Sequence, residues 1–142
     1  MLTAMGDVMR RAYEKGWITT RDGNVSVKMT GKNILYITPS GWRKTIIHPE
    51  HIIKVKFIPS GLEVPEGTTP SGELHMHSKL QRFSKYTRSV VHLHPTNIIA
   101  AMYAGWDLQK LAAEFPEVSR YTRVGPTAVS YTHLRAHETG ND

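Results

Sequence analysis

The chain predicts an α+β domain whose strands form a largely antiparallel sheet. Three observations carry this. Residues 2–15 repeat apolar side chains at helical spacing, and short alternating runs between residues 25 and 58 are separated by turn residues. A β-branched run at residues 89–94 then lies between two stretches of helical character.

In the first helix Leu2, Met5, Val8 or Met9, and Ala12 or Tyr13 share one face, and Gly16 is placed to end it. Val25–Met29, Ile34–Thr38 and Ile52–Ile58 have strand length, with Gly31-Lys32-Asn33 as a hairpin connection. Pro39-Ser40-Gly41, Pro59-Ser60-Gly61 and Pro65-Glu66-Gly67 mark loops. A second helix is expected from about Ser71 to Phe83, behind Pro70, because Leu74, Met76 or His77, Leu80 and Phe83 recur near helical spacing. Ser89–His94 reads as a buried strand ended by Pro95. Thr96–Tyr103 fits a third helix finishing near Gly105, and Leu108–Phe115 a fourth, stopped by Pro116. From about Ser130 the sequence loses period and turn logic. Residues 130–142 read as a scar-like, non-native tail, and residues 1–129 as the domain.

Composition narrows the function. Hydrophobic residues make up 39% and charged residues 21%, which is the balance of a soluble globular protein. The longest apolar stretch, Ile98 to Trp106, is too short to span a bilayer, and the N-terminus has no leader pattern, so a cytoplasmic enzyme without a membrane partner is expected. With no cysteine, disulfides and thiolate chemistry are excluded, and any metal must rest on His and carboxylate. The net charge of +6 favours an anionic partner. Lys and Arg are scattered, and no nucleic-acid motif appears, so a small phosphate is the better fit than nucleic acid.

The sharpest chemical signal is His92-Leu93-His94. In a strand, side chains two apart project from one face, so both imidazoles can converge on one divalent ion while Val91 and Leu93 pack behind them. Taken alone the pattern is short, and two histidines hydrogen-bonded in a half-buried strand fit it as well. Glu73 stands at the expected start of the second helix. It is either a first-turn carboxylate favoured by the helix dipole or a general base beside a metal. Gly23-Asn24, Ser40-Gly41 and Ser71-Gly72 are turns able to offer backbone N–H groups, hydroxyls or an amide to a phosphate. Asp22, His48, His51, His75 and His77 read as structural or solvated groups rather than metal ligands. His77, four residues after Glu73, can pack or hydrogen-bond below it.

GNVSVK (23–28), ITPSG (37–41), PSGE (70–73) and VVHLHPTNIIA (90–100) resemble, in order and spacing, the class II aldolase/adducin family over roughly residues 2–129. The resemblance implies a three-layer α/β/α sandwich around a mainly antiparallel sheet, incomplete here at its C-terminus, and a homotetramer with sites at subunit interfaces. By position it makes His92 and His94 two zinc ligands, Glu73 the acid/base, and Gly23, Asn24, Ser40, Gly41, Ser71 and Gly72 the binders of the substrate phosphate. The implied reaction is cleavage of L-rhamnulose or L-fuculose 1-phosphate to dihydroxyacetone phosphate and lactaldehyde. Zn2+ would bind the ketone and hydroxyl oxygens, and Glu73 would shuttle the proton.

Two departures from the family stand out. Its third zinc histidine, in a later His-Gly-Leu context, is missing from this chain, which is therefore expected to be inactive by itself and to expose apolar surface. The family's Ser-Ser before the glutamate is Ser71-Gly72 here. Alternatives within the family are a methylthioribulose-1-phosphate dehydratase and a pentulose-phosphate epimerase, the latter disfavoured because it commonly carries aspartate where Glu73 stands. A non-catalytic adducin-like binding module is the alternative of another class.

Overall fold

A computed structural model describes residues 1–83 and 88–127. The expected tail at 130–142, with His133 and His137, lies outside the described residues. The chain forms two compact units, Met1–Pro95 and Thr96–Asp142.

The first unit is built on a five-stranded antiparallel sheet in the order β4-β3-β2-β1-β5. Its strands are β1 (Asn24–Lys28), β2 (Ile34–Ile37), β3 (Ile53–Ile58), β4 (Gly61–Glu63) and β5 (Ser89–His92). Residues opposite each other in an antiparallel pair share a face. The register therefore sorts the side chains. Val27 lies opposite Tyr36, while Ser26 lies opposite both Ile37 and Val90.

One face carries Val25, Val27 and Tyr36 and receives α1 (Leu2–Glu14) through Met5, Met9 and Ala12. Val8 and Tyr13, the alternatives on that helix, are exposed. Gly6 lets α1 come close: a Cβ there would sit 2.4 Å from the Ile47 carbonyl oxygen. The opposite face carries Leu35, Ile37, Ile53 and Val55 and receives α2 (Leu74–Phe83) through Leu74. Arg82 of α2 lies 5.0 Å from the Phe57 ring centroid and donates to the Gly61 carbonyl at 3.0 Å. Helices on both faces of an antiparallel sheet make the α/β/α arrangement.

Two expectations are corrected. Pro59-Ser60-Gly61 is more than a loop, because it turns β3 into β4. Three residues are too few to display a period of two, so β4 left no pattern in the sequence. The 89–94 run is not a buried strand. It pairs only with β1, so among the described strands it is an edge, and Val91 is 42% exposed instead of packed. Leu93 does pack against the α1-side core. The strand closes at His92, three residues before Pro95.

The second unit holds three short helices, α3 (Thr96–Tyr103), α4 (Leu108–Ala113) and α5 (Pro116–Ser119). The Asp107 side chain caps α4 by accepting from Lys110 N at 3.1 Å. Pro116, expected only to stop a helix, also opens α5 at its first turn, where a missing N–H costs nothing. None of these helices contains a buried residue, and Ile98, Tyr103, Trp106, Phe115 and Tyr121 are exposed.

Candidate metal and anion site

His92 and His94 converge as their spacing suggested. Their Nε2 atoms lie 3.3 Å apart with the rings edge-on at 75°. Two nitrogens bound tetrahedrally at about 2.0–2.1 Å from one zinc are separated by roughly 3.3–3.4 Å. The pair therefore fits two corners of a shared coordination tetrahedron. Among the described residues no group of three or more His, Cys, Asp or Glu assembles for a metal. Two imidazoles alone fall short of the three protein ligands usual at a catalytic zinc.

The loop between α1 and β1 holds His94 at two points. The backbone N–H of His94 donates to the Trp17 carbonyl at 2.8 Å, and Nδ1 meets Asp22 Oδ2 at 2.8 Å. Burial pushes the Asp22 carboxyl up, but hydrogen bonds from the Thr19 hydroxyl and backbone N–H and the contact with His94 outweigh it, leaving the carboxyl below its ordinary value. His92 is shifted down by burial and by His94, against the raising effect of the Glu73 and Asp22 charges. Its Nδ1 is buried without a hydrogen-bond partner. Both effects favour a neutral ring, the form that binds metal.

Glu73 immediately precedes α2 and is exposed. Its N–H donates to Ser71 Oγ at 3.2 Å, and its carbonyl accepts from His77 N at 3.1 Å. Its carboxylate acts electrostatically on His92, which shares the α2 face of the sheet with Asn24, its partner in register.

The three glycine- and serine-bearing turns are knitted together. Pro39 and Pro70 form a β-bridge, flanked by Ser40 N to Thr69 O at 2.9 Å and Ser71 N to Thr38 O at 3.0 Å. Thr38, fully buried, also accepts from Val25 N through Oγ1 at 3.2 Å and donates its own N–H to Val25 O at 3.1 Å. Thr38 is thus the hub joining turn 23–24 to the other two. Arg21 donates to the Gly41 carbonyl at 3.2 Å, bringing the Asp22 loop alongside. The N–H groups of Ser40 and Ser71 are consumed by this knitting. Ser40, Gly41 and Gly72 are exposed, whereas Gly23, Asn24 and Ser71 are buried.

Sequence reasoning missed how Asn24 is held. His77 is fully buried, with Nδ1 at 2.7 Å from Ser26 Oγ and Nε2 against Asn24 Oδ1. Gln81 donates to Ser26 Oγ at 3.1 Å. Because Oδ1 can only accept, the donors run in one direction, from Gln81 to Ser26 to His77 to Asn24. Burial, with a smaller push from His92, lowers the His77 pKa to about 4 and keeps it neutral. The helical spacing of His77 and Gln81 put both on one face but could not identify their partners across the sheet. Lys44, also unsuspected, is buried. Burial lowers its pKa, against the raising charge of Asp22, while Arg21 lowers it further.

The described residues thus form an α/β/α domain with a histidine pair at the C-terminal end of β5 and a carboxylate at the start of the helix on that face. Residues 3–140 match the family described as Class II Aldolase and Adducin N-terminal domain, and the chain belongs to that family. It is 34% identical over 96 residues to methylthioribulose-1-phosphate dehydratase of Pectobacterium carotovorum subsp. carotovorum (strain PC1), covering 68% of this chain and 45% of the relative. It is 31% identical over 106 residues to the enzyme of that name from Yersinia pestis (strain Pestoides F), covering 68% and 46%. Among solved structures, L-fuculose-1-phosphate aldolase from Thermus thermophilus superposes with a TM-score of 0.60 at 30% identity, over 72% of this chain and 50% of that one. A sugar-phosphate aldolase from Thermotoga maritima shares the fold at a TM-score of 0.63 and 22% identity, over 82% and 64%. The chain spans about half the length of the curated relatives it matches.

Proposed function

We propose that this chain is the N-terminal catalytic portion of a metal-dependent lyase acting on a ketose 1-phosphate. The reaction in this reading is cleavage of L-rhamnulose or L-fuculose 1-phosphate to dihydroxyacetone phosphate and lactaldehyde. The observation that carries the reading is the His92–His94 pair. Its Nε2 separation of 3.3 Å suits one divalent ion, and His92 lies within the electrostatic reach of Glu73.

His92 and His94 would hold the ion, with a further histidine supplied from outside the matched segment, and Zn2+ suits two imidazoles. Such an ion, when bound, polarises the ketone and makes protons on neighbouring atoms more acidic. Glu73 moves the proton. In the cleavage direction the C4 hydroxyl would lose its proton to water, and the C3–C4 bond would break with its electron pair remaining on C3 as C4 becomes the aldehyde carbon. Glu73, protonated from solvent, would deliver a proton to C3, so that one proton leaves as one enters. Asn24 has its carbonyl oxygen committed to His77, so it would meet the phosphate with its amide donors. The Ser40 and Ser71 hydroxyls and the Gly23, Gly41 and Gly72 backbones complete that cradle. The Ser40 and Ser71 N–H groups, already bonded to Thr69 and Thr38, do not contribute. Assembly as a homotetramer in the cytoplasm belongs to the same reading. Among the described residues no helix is long and apolar enough to cross a membrane.

A second reading is favoured by the curated relatives, which are named methylthioribulose-1-phosphate dehydratases. There Glu73 would remove a proton from the carbon beside the ketone while water leaves the next carbon. The same groups serve both reactions. The full-length protein carrying this chain, loaded with Zn2+, separates them when incubated with each of the three sugar phosphates. Release of dihydroxyacetone phosphate from either deoxyketose supports cleavage. Water elimination from methylthioribulose 1-phosphate alone establishes the second reading. A folded protein that retains no divalent metal would sink both and leave a binding module.

A further inference from the structure

We propose that Asp22 is the positioning residue of the histidine pair: it fixes His94 in the tautomer that presents a lone pair at Nε2. The inference rests on the reading of His92 and His94 as metal ligands given above. Asp22 lies outside that ligand set and acts through His94.

The Asp22 carboxylate is held from behind. Its Oδ1 accepts both the N–H and the hydroxyl of Thr19, the latter at 2.8 Å. That leaves Oδ2 for Nδ1 of His94, at 2.8 Å. A carboxylate can only accept, so Nδ1 must carry the proton, and Nε2 of the neutral ring keeps its lone pair toward His92. The same loop fixes the backbone of His94 through the Trp17 carbonyl at 2.8 Å. Ring orientation and tautomer are therefore set by one short segment, residues 17–22, before any ion arrives. The Thr19 hydroxyl in turn accepts from Arg21 N at 3.3 Å, which orients its proton toward Asp22. Carboxylates that orient metal-binding histidines in this way raise ligand basicity, and their loss commonly lowers metal affinity about 10- to 100-fold.

The Thr19 anchor makes the isosteric variant informative. In Asp22→Asn, the two Thr19 donors require the amide oxygen, which turns the NH2 group toward His94. Nδ1 must then accept, the proton moves to Nε2, and the lone pair needed for metal is lost. Asp22→Ala removes the constraint without reversing it. The test uses the 142-residue chain and its two variants. Long-range 1H–15N spectra of the metal-free proteins, assigned with a His94→Gln reference, report the His94 tautomer. Competition against a chromophoric chelator reports Zn2+ affinity.

The expected result is the Nδ1–H tautomer in the parent chain, a mixture in Asp22→Ala and the Nε2–H form in Asp22→Asn. Zn2+ should be held about 10- to 100-fold more weakly by Asp22→Ala, and no more tightly by Asp22→Asn. An unchanged His94 tautomer in both variants overturns the proposal. Loss of zinc with that tautomer retained also overturns it, because Asp22 would then be a ligand itself. Asp22→Asn preserves shape and keeps the test open if Asp22→Ala does not fold. Failure of the full-length protein to transform any ketose 1-phosphate would strike the proposed reaction and leave these tautomer and affinity results standing.

Discussion

His77 donates from Nε2 to the side-chain amide oxygen Oδ1 of Asn24, joining α2 to the first residue of β1 across a face closed to solvent. The ring is satisfied as a neutral group at both nitrogens, and its pKa falls to about 4 from the ordinary 6.5. The unfolded chain therefore takes up this proton first on acidification. Stability from this group is constant above pH 6.5, falls as pH drops from 6.5 toward 4, and levels off below that. The full loss is on the order of 3 kcal/mol at about 1.4 kcal/mol per pKa unit. Urea unfolding of the chain at a series of pH values should show this slope, and His77→Gln should remove most of it. An unaltered slope in the variant would assign the acid sensitivity elsewhere.

Thr38 is expected to matter more than its place in a loop suggests. Replacement by valine keeps the volume but removes the acceptor of the buried Val25 N–H. A buried donor left without a partner costs about 1–3 kcal/mol. Unfolding free energies of Thr38→Val and Thr38→Ser, from denaturant titration, should differ by that amount, with serine close to the parent. Equal stabilities would show that the hydroxyl is dispensable.

Gly23 and Gly41 both have φ of +80°, yet they should respond differently to alanine. A Cβ at Gly23 would meet Ile18 Cγ2 at 2.6 Å, whereas nothing lies within 4 Å at Gly41. Gly41→Ala should cost only the left-handed backbone term, about 1–2 kcal/mol. Gly23→Ala adds overpacking of about 1–3 kcal/mol. Thermal unfolding of the two variants checks the order, and a less stable Gly41→Ala would contradict it.

Glu73→Gln tests the proposed proton transfer. The Glu73 side chain is exposed, and its hydrogen bonds to Ser71 and His77 run through its backbone, so the fold should be unaffected. In the full-length protein, turnover of the responsive ketose 1-phosphate should drop about 10²- to 10⁴-fold with metal affinity little changed. Retained turnover would remove Glu73 from the chemistry.

Much of the first unit was legible because its signals are local. The face of α1 that buries Met5, Met9 and Ala12 follows from helical spacing, and β1 to β3 follow from alternation between turns. The convergence of His92 and His94 was suggested by their spacing of two, although β5 ends at His92 and the loop before β1 holds His94 through Trp17 and Asp22. The edge position of β5 was not visible, because β-branched composition does not tell an edge strand from a central one.

The sequence alone determined the longer elements, though not β4 or α5, and the inventory of groups able to do chemistry, since periodicity and turn residues act over a few positions. Only the tertiary structure decided their partnerships. The pairing of Asn24 with His92, the hub at Thr38, the relay from Gln81 to Asn24 and the hold of Asp22 on His94 all join residues far apart in the chain. Such hydrogen bonds depend on strand register and helix placement, which the whole packed unit fixes together. A shift of one residue in the register of β1 would send Asn24 and Ser26 to the other face of the sheet, away from His77.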